Sequence, residues 1–232
     1  MKTRLALIAL ALALPTARPA LAQDPAASPA KPAPLPAPPR ITRPKTLETP
    51  KFVFPEEALA QGHHGTPVHA VTLNPDGSIR EIKLITSSRS AVLDKAAGDL
   101  LAGTKFSPAL DAAGKPIEYT FRAPVEFERW TDDGKGGNLL TYRCADFVRE
   151  NQWWETAYAD TPKAKPSLRE VLVGLRFVTN PAARTADGLK NLIAQSDKEW
   201  NKAISKCRAK PDQLVIDQFE QKEVLKRLAQ TK

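Results

Sequence analysis

Residues 23–50 hold nine prolines among mostly Ala, Ser, Lys and Arg, with hardly any large apolar side chain. Such a stretch cannot make a core, because proline lacks a backbone donor and fixes φ, and nothing here is worth burying. Pro-Ala-Pro and Pro-Pro steps favour extended polyproline II, so residues 23–51 read as a semi-rigid spacer reaching about 85 Å at about 3.1 Å per residue. Composition alone is equally consistent with a disordered leader. Of the 232 residues, folding is left to those after 51, enough for one ordinary domain or two small ones.

The residues before the proline run read differently. Lys2 and Arg4 precede an apolar run over residues 5–14, a break at Pro15 and the small-residue end Ala20-Leu21-Ala22. This is the layout of a secretory signal peptide covering residues 1–22, with cleavage before Gln23 and delivery to the periplasm. The competing reading is an inner-membrane anchor, but ten apolar residues rise only about 15 Å as a helix against a hydrocarbon core of about 30 Å. The chain's net charge of +8 falls to +5 once Lys2, Arg4 and Arg18 are removed. The remaining charges are scattered and no basic run is interleaved with aromatics, so nucleic acid is not an expected partner. Attraction to anionic wall polymer stays open, since a modest positive field needs no motif. Cys144 and Cys207 are the only cysteines. In an oxidising compartment they are expected to pair, closing a loop that stabilises the fold by about 4 kcal/mol in the chain-entropy model.

From residue 52 to 130 the pattern is alternating. Residues 56–61 read as a short helix after Pro55. Val68, Ala70 and Thr72 oppose Pro67, His69, Val71 and Leu73 across a strand. Asn74-Pro75-Asp76-Gly77 is a turn, and residues 79–87 form the second strand of a hairpin. Leu93, Ala96, Ala97, Leu100 and Leu101 make an amphipathic helix that Gly103 ends, with Ser90 as candidate cap. Tyr119, Phe121, Ala123, Val125 and Phe127 alternate with polar residues in a last strand, which Pro124 confines to a sheet edge or a bulge. Residues 131–138, rich in Gly and Asp, read as a linker.

Strand signals then stop, and residues 139–232 read as four helical stretches. Cys144, Phe147 and Val148, with Trp153, Trp154 and Tyr158, begin them. Ser167-Leu168-Arg169-Glu170 has the form of a capping box. Leu189, Leu192, Ile193, Ser196, Trp200, Ala203, Ile204 and Cys207 hold the three and four spacing, placing Cys207 on the buried face. Val215, Ile216, Phe219, Leu225 and Leu228 form a less regular last stretch. The expected fold class is α+β: a small helix-hairpin-helix-strand domain followed by a disulfide-linked α-helical domain.

The ordered set Phe54-Pro55-Glu56-Glu57-Ala58, Gly62, Gly65-Thr66-Pro67-Val68, Asn74-Pro75-Asp76-Gly77, Leu93-Asp94-Lys95-Ala96-Ala97, Lys105-Phe106-Ser107-Pro108-Ala109, Gly114-Lys115-Pro116 and Pro124-Val125-Glu126-Phe127 resembles the C-terminal domain of the TonB energy-transducer family. The resemblance implies a non-catalytic envelope domain that engages an extended segment of an outer-membrane transporter by strand addition. The candidate docking edge is the last strand, with Tyr119, Phe121, Ala123, Val125 and Phe127. An open edge would also permit a homodimer by strand exchange. The helical region is an addition to that pattern. Through Arg143-Cys144-Ala145-Asp146-Phe147 and Ile204-Ser205-Lys206-Cys207 followed by Pro211 it resembles small periplasmic proteins of the HdeA type, which join two cysteines across a helical bundle and act as acid-stress chaperones. Alternative roles are therefore a periplasmic stress or chaperone protein and a peptidoglycan-binding protein.

No catalytic, cofactor or metal site is expected. His63 and His64 point opposite ways on an extended chain and read as a solvated loop pair, with His69 a strand residue. Ser87, Ser88 and Ser90 lie near Asp94 but have no histidine placed as base and no Gly-x-Ser-x-Gly elbow. Trp153 and Trp154 are expected to pack within the helices against Trp200.

Overall fold

The computed structural model describes residues 41–131 and 138–230. The predicted signal peptide, the proline-rich segment up to Arg40 and nearly all of the predicted linker lie outside the described residues.

The sheet half begins earlier than the sequence suggests. β1 (Thr46–Glu48) sits inside the predicted spacer and pairs antiparallel with β4 (Lys105–Phe106). Pro44 and Pro50 bracket it without entering the ladder. α1 (Glu56–Gln61) starts after Pro55 and ends at Gly62, whose left-handed φ of 74° closes the helix. β2 (Val68–Leu73) and β3 (Ile79–Thr86) form the expected hairpin. Its turn is fixed by Gly77 N–H donating to the Asn74 carbonyl at 2.9 Å and Ser78 N–H donating to Asp76 Oδ1 at 2.8 Å. α2 (Ala91–Ala102) opens with Leu93 N–H donating to the Ser90 hydroxyl, as predicted. After the short pair β5 (Ala109–Leu110) and β6 (Pro116–Ile117), β7 (Tyr119–Pro124) runs antiparallel to β2, giving a three-stranded sheet in the order β3-β2-β7.

The alternation along β2 places His69, Val71 and Leu73 inside. They meet Leu93, Ala97 and Leu101 from α2, and Ala123, Val125 and Phe127 from β7 and its extension. Leu73, Leu93 and Phe127 are fully buried, each stabilising the half by about 1.5–3 kcal/mol.

The helical half comprises α3 (Cys144–Ala157), α4 (Ser167–Thr179), α5 (Ala186–Ala209) and α6 (Lys222–Gln230), with 3-10 turns at Pro181–Arg184 and Val215–Gln218. Cys144 and Cys207 are disulfide-bonded, with Cα atoms 4.7 Å apart, tying the start of α3 to the end of α5. Around the bond lie Phe147, Trp200, Phe219, Val215 and Ile216. Two expectations need correction. The capping box at Ser167 does not form: Pro166 takes the cap position without a side-chain bond, and the Ser167 hydroxyl accepts from Trp130 Nε1 at 3.0 Å. Leu189 and Ile193 are exposed, because the packed stripe of α5 starts at Leu192 and runs through Ser196, Trp200, Ala203, Ile204 and Cys207, leaving those two beside it.

Candidate partner-binding edge and its junction with the helices

β7 lies at one edge of the sheet, and its register with β2 is unbroken over Tyr119–Pro124. The pairing continues through Val125 N–H to the Pro67 carbonyl at 3.1 Å, and through a reciprocal pair of 3.0 Å bonds between Phe127 and Gly65. In an antiparallel ladder, successive residues turn their backbone groups to opposite sides. The Phe127–Gly65 pair therefore fixes the odd positions as facing β2. Tyr119, Phe121, Ala123, Val125 and Phe127 bond inward, and their side chains lie on the core face: Phe121 against Phe106 at 5.3 Å, Phe127 against Phe52 at 5.0 Å and Phe54 at 5.5 Å. Thr120, Arg122 and Pro124 alternate with them. Their side chains are exposed, and their backbone groups turn away from β2. Beside this edge is a groove of about 460 Å³, walled by Arg43, Pro44, Ala70 and β7 from Tyr119 to Arg122. The wall formed by Arg43 and Pro44 belongs to the segment read as spacer, where no pattern marks it.

The opposite edge, β3, is less suited to an added strand. Its register slips at two points, and it carries Arg80, Glu81 and Lys83. Bulges and charge are the usual protection of an exposed edge.

Where β7 runs out, the chain meets the helices, and the histidines and tryptophans are found here. His64 is not a solvated loop residue. It is 3 % exposed, its ring 5.3 Å from Trp153 and 5.1 Å from Trp154. Its Nδ1 lies 3.3 Å from Glu128 Oε2. His63 meets the Ser90 hydroxyl at 2.8 Å and packs on Trp153 at 5.0 Å. Trp153 and Trp154 thus cover the histidines rather than Trp200, which packs on Phe147 at 4.8 Å and Phe219 at 6.1 Å. Glu128 and Glu150 are 3 % and 4 % exposed. Glu150 accepts from Tyr142 Oη and, at 2.8 Å, from Arg129 Nε. Arg129 also donates to the Leu59 carbonyl, and Trp130 Nε1 donates to Glu128. Burial pushes the Glu150 carboxyl up, although the charges of His64 and Arg129 and the Tyr142 bond oppose this. For His64, burial pulls the imidazole down but is more than offset by Glu128 and Glu150, so it lies above its ordinary value. Burial beside Glu150 raises the Tyr142 phenol well above its usual range, keeping it a donor.

A second seam joins the halves. Arg89 adopts a left-handed φ of 67° and reaches Asp160 at 3.1 Å and the Tyr158 ring at 5.6 Å, while Tyr158 Oη donates to the Ser88 carbonyl at 3.2 Å. Ser88 N–H and Oγ in turn donate to Asp94, at 2.8 and 2.7 Å, and Ser87 Oγ donates to the same carboxylate. The serine cluster is therefore a brace at the start of α2. Among the described residues no group of His, Cys, Asp and Glu is arranged to hold a metal ion.

Helix, hairpin, helix and a regular edge strand, with buried side chains facing inward, define a small α+β domain. Residues 50–128 match the family model described as Gram-negative bacterial TonB protein C-terminal, and this third of the chain is a TonB C-terminal domain. No curated protein sequence matches the chain. The family match ends at Glu128, the residue that enters the junction. Among the described residues no helix is long and apolar enough to cross a membrane.

Proposed function

We propose that the chain is a non-catalytic periplasmic protein of envelope transport that holds an extended segment of an outer-membrane transporter by adding it as a strand to β7. The observation that carries this reading is the unbroken β7 edge facing a groove, set against the bulged and charged β3 edge. Backbone bonds from Thr120 and Arg122 would hold the segment, and the exposed face of β7 with Arg43 and Pro44 would select it.

The test is amide NMR of the full exported chain, titrated with synthetic peptides copied from the periplasm-facing termini of outer-membrane transporters of the same cell. Shifts are expected at residues 119–124 and 43–45. Replacement of Arg122 by proline removes an outward donor without touching the β2 ladder, and is expected to weaken binding at least about tenfold, a step of about 1.4 kcal/mol. Shifts confined to β3 or the helices, or unchanged affinity in R122P, would overturn the reading. Concentration-dependent dimerisation through the same residues without peptide would assign the edge to a second copy.

A further inference from the structure

The junction is one positive charge short. Glu128, after β7, and Glu150, on α3, act on His64, and ion pairs tie Arg129, Asp146 and Arg149 into the same cluster, while Glu57 of α1 acts on the neighbouring His63. Arg129 lies 3.6 Å from Asp146 and bonds Glu150, and Arg149 bonds Asp146. Three carboxyl groups thus face two guanidiniums. His63, on the same loop, is held below its ordinary value by burial, with Glu57 opposing this and His64 adding to it. The void bounded by His64, Glu128, Tyr142, Glu150 and Trp200 is about 10 Å³, too small for any ligand larger than a single water.

We propose that His64, Glu128 and Glu150 form a proton-held latch between the TonB C-terminal domain and the helices, closed while the cluster keeps one proton and loosened when that proton leaves. The proton rests between the His64 ring, facing Glu128, and the Glu150 carboxyl, which Tyr142 and Arg129 orient. Removing it strands an unpaired negative charge between surfaces that are otherwise closed by Trp153 and Trp154, and an unpaired buried charge opposes closure. His64 and Glu150 both lie above their ordinary values when the junction is shut. A group raised on closure stabilises the closed form fully below its open-state pKa, and that stabilisation is lost as pH rises through the closed-state value. For His64 the window opens near its ordinary value of about 6.5 and runs upward; Glu150 acts with the same sign from a lower start. Acid therefore tightens the junction and base loosens it, whatever β7 binds.

Two measurements on the full exported chain decide this. In a titration with 13C-labelled histidine, His64 is expected to show a midpoint above about 6.5; a midpoint at or below that value overturns the latch. In hydrogen exchange, protection factors for α3 amides over residues 147–154 are expected to fall with rising pH above about 6.5, by up to about tenfold per pH unit for one proton, while those in β2 stay level. Glu150→Gln removes the excess negative charge and is expected to flatten that fall, as is His64→Gln; an undiminished slope in a folded variant also overturns the proposal. Should both variants fail to fold, the wild-type titration still decides.

Discussion

The two halves of the molecule are stabilised in different ways. In the TonB C-terminal domain the strength is distributed: β2 is paired along both sides, and its inward residues meet α2 and β7 in an apolar core. In the helical half an apolar cluster of at least equal extent is reinforced at a few points. These are the Cys144–Cys207 bond, the aromatic group of Phe147, Trp200 and Phe219, and partly buried pairs such as Arg169 with Asp197 and Arg176 with Glu199. Because one covalent bond ties α3 to α5, losing it should cost the helical half more than losing one contact costs the sheet. The largest expected effect follows directly. Replacing both cysteines by serine removes about 4 kcal/mol by the loop-closure argument. In denaturant titrations followed by hydrogen exchange, α3 and α5 should lose protection first while β2 and α2 keep theirs. Simultaneous loss in both halves would break the distinction and show one cooperative unit.

Gly62 tests where the halves meet. Its φ of 74° suits glycine, and a Cβ there would stand 2.8 Å from Arg149 Cγ and 2.9 Å from the Arg149 carbonyl carbon and oxygen. Alanine would meet both the left-handed penalty and the backbone of α3, so the cost is expected at about 2 kcal/mol or more. Calorimetry of Gly62→Ala should show a fall of several degrees, with exchange rising at α1 and α3 together. A change confined to α1 would mean that α3 moves aside freely and that the junction is softer than its packing implies.

The sheet half was largely legible because its signals are local: the β2 alternation, the Asn74 to Gly77 turn and the Ser90 cap each lie within a few residues. β1 was not, since a three-residue strand between Pro44 and Pro50 carries too little pattern to outweigh two prolines. The capping box failed because a partner 37 residues away, Trp130, takes the Ser167 hydroxyl. The junction was missed for the same reason on a larger scale. His64 and Trp154 are each unremarkable in their own segments, and only the fold brings them together. One signal was available: Glu150 follows Phe147 by three residues, on the face that carries Cys144, and an acid on an apolar helical stripe calls for a buried partner. Pro124 left an edge or a bulge open for the last strand and the sheet order shows an edge, while the apolar alternation marked its inner face; only the ladder register shows that the odd positions turn their backbone groups to β2 and the even ones turn theirs outward.

The smallest effect sharpens the comparison most, because Ser90 serves only the distributed half. Its hydroxyl accepts from Leu93 N–H at 3.4 Å and meets His63 Nδ1 at 2.8 Å. Ser90→Ala removes the α2 cap at a cost of about 1 kcal/mol. It also leaves the His63 nitrogen without that partner, on a ring whose protonation burial disfavours. The loss should be spread over α2 and the sheet, visible as a uniform drop in exchange protection across β2 and residues 91–102, with α5 unchanged. If α3 and α5 lose protection equally, the serine and histidine at the head of α2 support the helices through Trp153, and the two halves stand or fall together.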